Sequence, residues 1–174
     1  MILKKLILTL VALVTIAVSC SCFAQATQND LCIGGIYYEQ PLSEVIVRYG
    51  QPSEKRPGVY IFSSNEGQIE IGTRFSEVVN GRTVGSMHVE GNSIVATKAG
   101  IRTGSTYKEI IAAYGTPTRE HFGKLNDGTL FGYVDYDVIL PPPSPNHSGT
   151  TMVMSFSLDG NKTVTSIDIR EQNT

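Results

Sequence analysis

The chain has 174 residues with 14 basic and 16 acidic side chains, and its formal net charge is −2 at pH 7. A chain of this length can bury one ordinary hydrophobic core, or two small cores that share an interface. The acidic balance argues against nucleic acid or an anionic membrane surface as the main partner, because both attract basic proteins.

Residues 1–26 are predicted to be a secretory signal peptide. Lys4 and Lys5 precede an apolar run, and Ala24-Gln25-Ala26 has the small residues of a cleavage site. The run is too short for a comfortable transmembrane helix. Removing the two lysines takes the net charge from −2 to −4. We therefore predict an exported protein, periplasmic or extracellular.

Two cysteines in the leader leave a second interpretation open. Ala17-Val18-Ser19-Cys20 is a loose match to a lipoprotein signal, although the leucine expected three residues before the cysteine is absent. A soluble exported protein is favoured, with membrane attachment only if Cys20 or Cys22 is lipidated. Cys32 is the only cysteine of the mature chain, which excludes an intrachain disulfide. It is predicted to be a small buried hydrophobe, the alternative being a reactive or intermolecularly paired thiol.

An internal repeat follows, since residues 35–54 align without a gap with residues 100–119. Each copy has apolar residues at helical spacing, which predicts one short amphipathic helix beginning near Pro41 or, with Ser105 as N-cap, near residue 106. A Gly-x-Pro turn ends each helix: the glycine suits a positive φ and the proline stops continuation. These structural-motif residues are Gly50, Pro52, Gly115 and Pro117.

Alternating and β-branched segments predict six strands, three after each helix. They cover residues 59–63, 68–75, 83–90, 129–139, 151–158 and 162–170. The predicted fold is α+β, with two tandem repeats that each pack a short helical segment on a three- to four-stranded antiparallel sheet. Repeat unit 1 is 27–90, beginning with a polar lead-in at 27–34; the joint is 91–99, and repeat unit 2 is 100–174.

Repeat unit 2 contains an inserted loop, residues 140–150, with four prolines between Pro141 and Pro145. Proline cannot donate to a strand ladder and favours extended, stiff geometry. A stiff loop loses little entropy on binding, so this one is a candidate contact element. The alternative is a long hairpin loop without a partner.

The segment Thr97-Lys98-Ala99-Gly100-Ile101-Arg102-Thr103-Gly104-Ser105-Thr106, its helix and Tyr114-Gly115-Thr116-Pro117 resemble the motif of SmpA/OmlA-type domains of small outer-membrane assembly lipoproteins. The β-lactamase inhibitory protein has a similar architecture in tandem. The resemblance implies helices on one face of each sheet, and open sheet faces that together grip another protein. No contact residue is carried over from either protein.

Signals for catalysis are few. The chain has no metal-ligand spacing, no nucleophile elbow and no phosphate-binding glycine loop, so no catalytic residue, metal or cofactor is predicted. Asp135 and Asp137 alternate on one strand and could bind a cation or perform acid/base work, although a solvated strand face is the more common role.

The predicted function is a non-enzymatic, exported protein-binding module that binds another protein or envelope component through a sheet face and the proline loop. Aromatic anchors mixed with polar groups are typical of such interfaces. One alternative is an inhibitor of a secreted or periplasmic enzyme, and a second is a cation-binding protein or hydrolase centred on the two aspartates. Alternation alone leaves open which sheet face is exposed. The candidate partner-binding residues are Tyr60, Phe62, Glu70, Arg74, His88, Tyr133, Asp135, Asp137, Pro143 and His147.

Overall fold

The computed structural model describes residues 25–142 and 149–172. One predicted segment and four predicted residues therefore lie wholly or mostly outside the described residues. They are the signal peptide, the lipidation candidates Cys20 and Cys22, and the loop residues Pro143 and His147. In the part of the chain that is described, no helix has the length and apolar character needed to cross a bilayer.

Within residues 25–142 and 149–172, the regular structure consists of ten strands, two α-helices and a 3-10 helix at Gln28–Asp30. The helices are α1 (Leu42–Tyr49) and α2 (Tyr107–Tyr114). The strands are β1 (Cys32–Ile33), β2 (Ile36–Tyr37), β3 (Glu54–Arg56), β4 (Val59–Ser64), β5 (Gly67–Ser76), β6 (Gly81–Glu90), β7 (Arg119–Lys124), β8 (Leu130–Leu140), β9 (Thr150–Asp159) and β10 (Val164–Glu171).

The predicted fold class is wrong. Eight strands form one antiparallel sheet in the order β3-β4-β5-β6-β10-β9-β8-β7, and β1 and β2 form a separate two-stranded sheet. Strands account for 51% of the structure and helices for 13%, so the fold is mainly β and is not a tandem pair of helix-on-sheet repeats. The reason is the pairing of β6 with β10, in which Val89 lies opposite Ile167. This pairing joins what would have been two sheet edges into one sheet.

A single hydrophobic core lies on one face of this sheet, which we call the helix face. Val45 of α1 and Ile110 of α2 are fully buried there, in one cluster with strand residues from both halves of the sheet, such as Ile71 and Phe156. One contiguous core across the whole sheet fits a single folding domain better than two units with separate cores.

The amino-terminal segment is not the polar lead-in that was predicted. Leu31, Ile33 and Ile36 are almost completely buried in the core. Ile33 forms a β-bridge with Thr97, and the Gly34 amide donates to the Ala96 carbonyl at 2.8 Å. The segment therefore forms backbone contacts with the predicted joint, residues 91–99. Cys32 is 2% exposed, and burial raises the pKa of its thiol, in agreement with a structural role.

The helix ends are confirmed, and the helix starts differ by one residue. Gly50 and Gly115 follow α1 and α2 with φ of 80° and 74°, a region that favours glycine. Helix α1 begins at Leu42, because Pro41 is the N-cap, and α2 is capped by Thr106 rather than Ser105. The Thr106 hydroxyl and the Glu109 carboxylate form a capping box there.

Candidate functional site

The opposite side of the sheet, here called the open face, carries a row of residues that crosses all eight strands. Cross-strand partners in register define this open-face row, and seven of its eight members are polar or charged. On the central strands, the residues immediately before and after each row member belong to the core. The side chains of the row members therefore point away from the helices. Its members in order are Glu54, Ile61, Glu70, His88, Asp168, Ser155, Asp135 and Arg119.

Arg119 pairs with both predicted aspartates near one end of the row. Its Nη1 and Nη2 atoms donate to the two carboxylate oxygens of Asp137 at 2.9 and 2.8 Å, and its Nε donates to Asp135 at 3.3 Å. The Ser155 hydroxyl donates to the other oxygen of Asp135 at 2.6 Å. Burial alone would lower the pKa of Arg119, but the bonds to Asp137 and Asp135 outweigh it and raise that pKa. The three strands β7, β8 and β9 therefore hold a hydrogen-bonded cluster in which one guanidinium is shared by two carboxylates.

This pairing gives no support to the cation-binding or hydrolytic alternative. A catalytic carboxylate pair needs one acid whose proton is available, whereas both aspartates here accept hydrogen bonds from one guanidinium. Within residues 25–142 and 149–172, no group of three or more His, Cys, Asp or Glu side chains is arranged to hold a metal ion. An aspartate that enters an enzyme's active site, as the inhibitor alternative requires, would first have to leave Arg119.

His88 occupies the middle of the row, where β6 meets β10. Its Nδ1 lies 2.7 Å from an Asp168 oxygen and its Nε2 lies 3.5 Å from a Glu90 oxygen, and Glu70 is its partner on β5. Burial alone would lower the pKa of His88, but Asp168 and then Glu90 outweigh that effect, so the pKa is raised. A depression of about 400 Å³ lies over this point, with Glu70, His88, Asp168 and Arg170 in its lining.

Beside the row lies an aromatic cluster formed by His121, Phe131 and Tyr133, which we call the open-face aromatic cluster. The His121 ring centre lies 5.8 Å from that of Phe131 and 5.6 Å from that of Tyr133. Gly123 is opposite Phe131, and a Cβ at Gly123 would come within 2.9 Å of the Phe131 ring. Tyr133 remains 39% exposed, which leaves it available as an anchor for a partner.

Three predicted site residues lie elsewhere. Tyr60 and Phe62 pair with Ile71 and Ile69, so both lie on the helix face, and Phe62 is 2% exposed. Neither belongs to the open face, because alternation on β4 places Ile61 there instead. Arg74 follows a bulge in β5 and forms an ion pair with Glu39, with its guanidinium 4.9 Å from the Tyr38 ring centre. It is therefore separate from the row.

The structure thus brings Glu70, His88, Tyr133, Asp135 and Asp137 to one face. Four residues that belong with them were missed. Asp168 and Ser155 carried an alternation signal, but only the strand register places them beside the predicted residues. Arg119 and His121 lie on β7, a strand that the sequence did not predict. The missed residues are Arg119, His121, Ser155 and Asp168.

No known protein-family model matches the chain, and no curated protein matches it. Among solved structures, the chain is similar to a DUF4309 family protein (YjgB) from Bacillus subtilis. The identity is 14%, the TM-score is 0.43, and the match covers 79% of this chain and 83% of that one. At this TM-score the likeness supports no conclusion about this chain's function.

Proposed function

We propose that the chain is an exported, non-enzymatic module that binds another protein or envelope component through the open face of its sheet. The observation that carries the proposal is the contrast between the two faces. The helix face is closed by α1, α2 and the core, while the open face presents a charged row with an exposed aromatic cluster beside it. Aromatic anchors next to ordered polar groups are typical of specific protein interfaces.

The polar groups of this face are already held in place. Arg119 makes three hydrogen bonds to Asp135 and Asp137, and Ser155 fixes Asp135 from the other side. Side chains that are ordered before binding lose less conformational entropy when a partner arrives. The open face therefore suits recognition by a rigid surface.

The loop between β8 and β9 extends the same binding surface in this proposal. Ile139, the next open-face residue after Asp137 on β8, is 78% exposed and lies just before the loop. Pro141 and Pro142, the first loop residues, are also exposed. A partner on the open face would thus meet both an apolar side chain and the start of the proline segment.

The test is affinity capture from the envelope fraction of the producing organism, with residues 27–174 as bait. Matched baits carry Tyr133→Ala on the open face, a loop shortened between residues 141 and 149, or Val47→Ala. Val47 is the control because it is 87% exposed on α1. We expect the wild-type and Val47→Ala baits to capture one partner that the other two baits do not capture. Equal capture by all four baits would contradict the proposal.

A further inference from the structure

The two edges of the large sheet differ in their capacity to pair with another strand. Strand β3 has three residues, all charged and exposed, which is a common way to protect an edge. Strand β7 has six residues, and in the part of the chain that the structure describes its neighbour in the sheet is β8 alone. Its outer edge therefore presents backbone amides and carbonyls with the length to form a ladder.

We propose that β7 pairs with β7 of a second copy in an antiparallel, two-fold symmetric dimer. A two-fold axis perpendicular to the sheet keeps the helix faces of both copies on one side. Residues that face each other across the dimer must then point to the same side of the sheet. This condition holds only when the two-fold axis passes beside one residue of each strand, rather than between two residues.

Charge selects one of these registers. With the axis at Phe122, Glu120 of each copy faces Lys124 of the other, and the two Phe122 side chains face each other. With the axis at His121, Glu120 would face Phe122, and with the axis at Glu120 two carboxylates would meet. Opposite charges across an antiparallel pair are favourable and like charges are not. The six-residue strand is therefore self-complementary in one register.

The surroundings of Phe122 agree with a covered edge. Its ring packs against Tyr107 at 5.6 Å between centroids, and the Lys162 ammonium lies 4.4 Å from its centre. Phe122 is 38% exposed and Leu130 is 52% exposed, beside a largely apolar depression of about 320 Å³. In the proposed dimer, two such apolar surfaces meet on the helix face and bury each other.

The test is sedimentation equilibrium of residues 27–174 from about 1 μM to about 1 mM, a range suited to a small interface. A monomer–dimer equilibrium is expected for the wild type. Glu120→Lys is expected to weaken dimerisation about tenfold or more, since two attractive pairs become repulsive. The double variant Glu120→Lys/Lys124→Glu restores the pairs with reversed signs and is expected to recover the wild-type affinity.

Glu54→Lys on β3 is the control and is expected to leave the equilibrium unchanged. Circular dichroism verifies folding, because Glu120 also accepts a hydrogen bond from the Tyr107 hydroxyl at 2.7 Å. If Glu120→Lys does not fold, Lys124→Glu alone serves as the charge reversal. A wild type that stays monomeric, or a double variant that is no better than the single one, would overturn the proposal.

Discussion

Replacing Arg119 with methionine should destabilise the protein measurably, because it leaves two partly buried carboxylates without their cation. The side chains of Asp135 and Asp137 are 10% and 21% exposed, while that of Arg119 is 40% exposed. Breaking a buried pair costs about 3–5 kcal/mol, and an exposed pair contributes about 0–1 kcal/mol. Since Arg119 is itself substantially solvated, we expect a loss of about 2 kcal/mol in the free energy of unfolding, between these limits.

Urea unfolding followed by circular dichroism measures this loss, with the m-value as a check on two-state behaviour. In a protein of this size, about 2 kcal/mol corresponds to a decrease in Tm of about 4–8 °C. The matched control is Arg56→Met, since Arg56 and Glu54 form an ion pair in which both side chains are 54% exposed. That variant should leave the unfolding curve unchanged.

A double-mutant cycle between Arg119→Met and Asp137→Asn isolates the pair itself. We expect a coupling free energy of about 1 kcal/mol, because the two side chains share two hydrogen bonds. A loss below about 0.5 kcal/mol for Arg119→Met, no greater than for an ordinary surface change, would refute the reasoning that this cluster is a fixed part of the open face.

Four further outcomes are expected. The folded-state pKa of His88 is raised above its ordinary value of 6.5, so its stabilising contribution is present below that value and is lost as pH rises through the folded pKa. The wild type should thus lose stability as pH rises from below 6.5 through the folded pKa of His88, a loss that His88→Gln should not show, and identical pH profiles in urea unfolding would contradict this. Phe62→Ala should cost about 3–5 kcal/mol in urea unfolding, because the ring is buried against Tyr49, and a loss under about 1 kcal/mol would show that the ring is not core. Thr106→Ala should cost about 1 kcal/mol in the same assay through loss of the helix cap, whereas an unchanged midpoint would be inconsistent with the capping box. When the full chain of residues 1–174 is expressed and exported, mass spectrometry should find an unmodified amino terminus at Thr27. An amino terminus at an acylated Cys20 would contradict this prediction and would identify a lipoprotein.

Local features of the fold were predictable from the sequence. The six predicted strands match β4, β5, β6, β8, β9 and β10 to within two residues at each end, because alternation and turn residues are local signals. Both helices were predicted for the same reason. Strands β1, β2, β3 and β7 were missed: β1 and β2 have only two residues each, and the largely charged edge strands β3 and β7 carry little alternation.

The long-range arrangement was not predictable in the same way. Nothing in the alternation of β6 or β10 names the other strand as its partner, so two separate sheets were expected where one exists. The same limit applies to the site. His88 and Asp135 were found as individual residues, but Asp168 joins them only through register. Phe62 was assigned to the binding surface because its strand pattern fits either face.

Site-specific photo-cross-linking tests the central claim, binding through the open face, most directly. A photoreactive phenylalanine analogue replaces Tyr133 on the open face or Val47 on α1, in protein added to the envelope fraction of the producing organism. Both side chains are exposed, and Val47 is more exposed than Tyr133, so poor accessibility would not explain a missing adduct at position 47. The account predicts one discrete cross-linked partner from position 133 and none from position 47. The same adduct from both positions, or an adduct from position 47 alone, would contradict it.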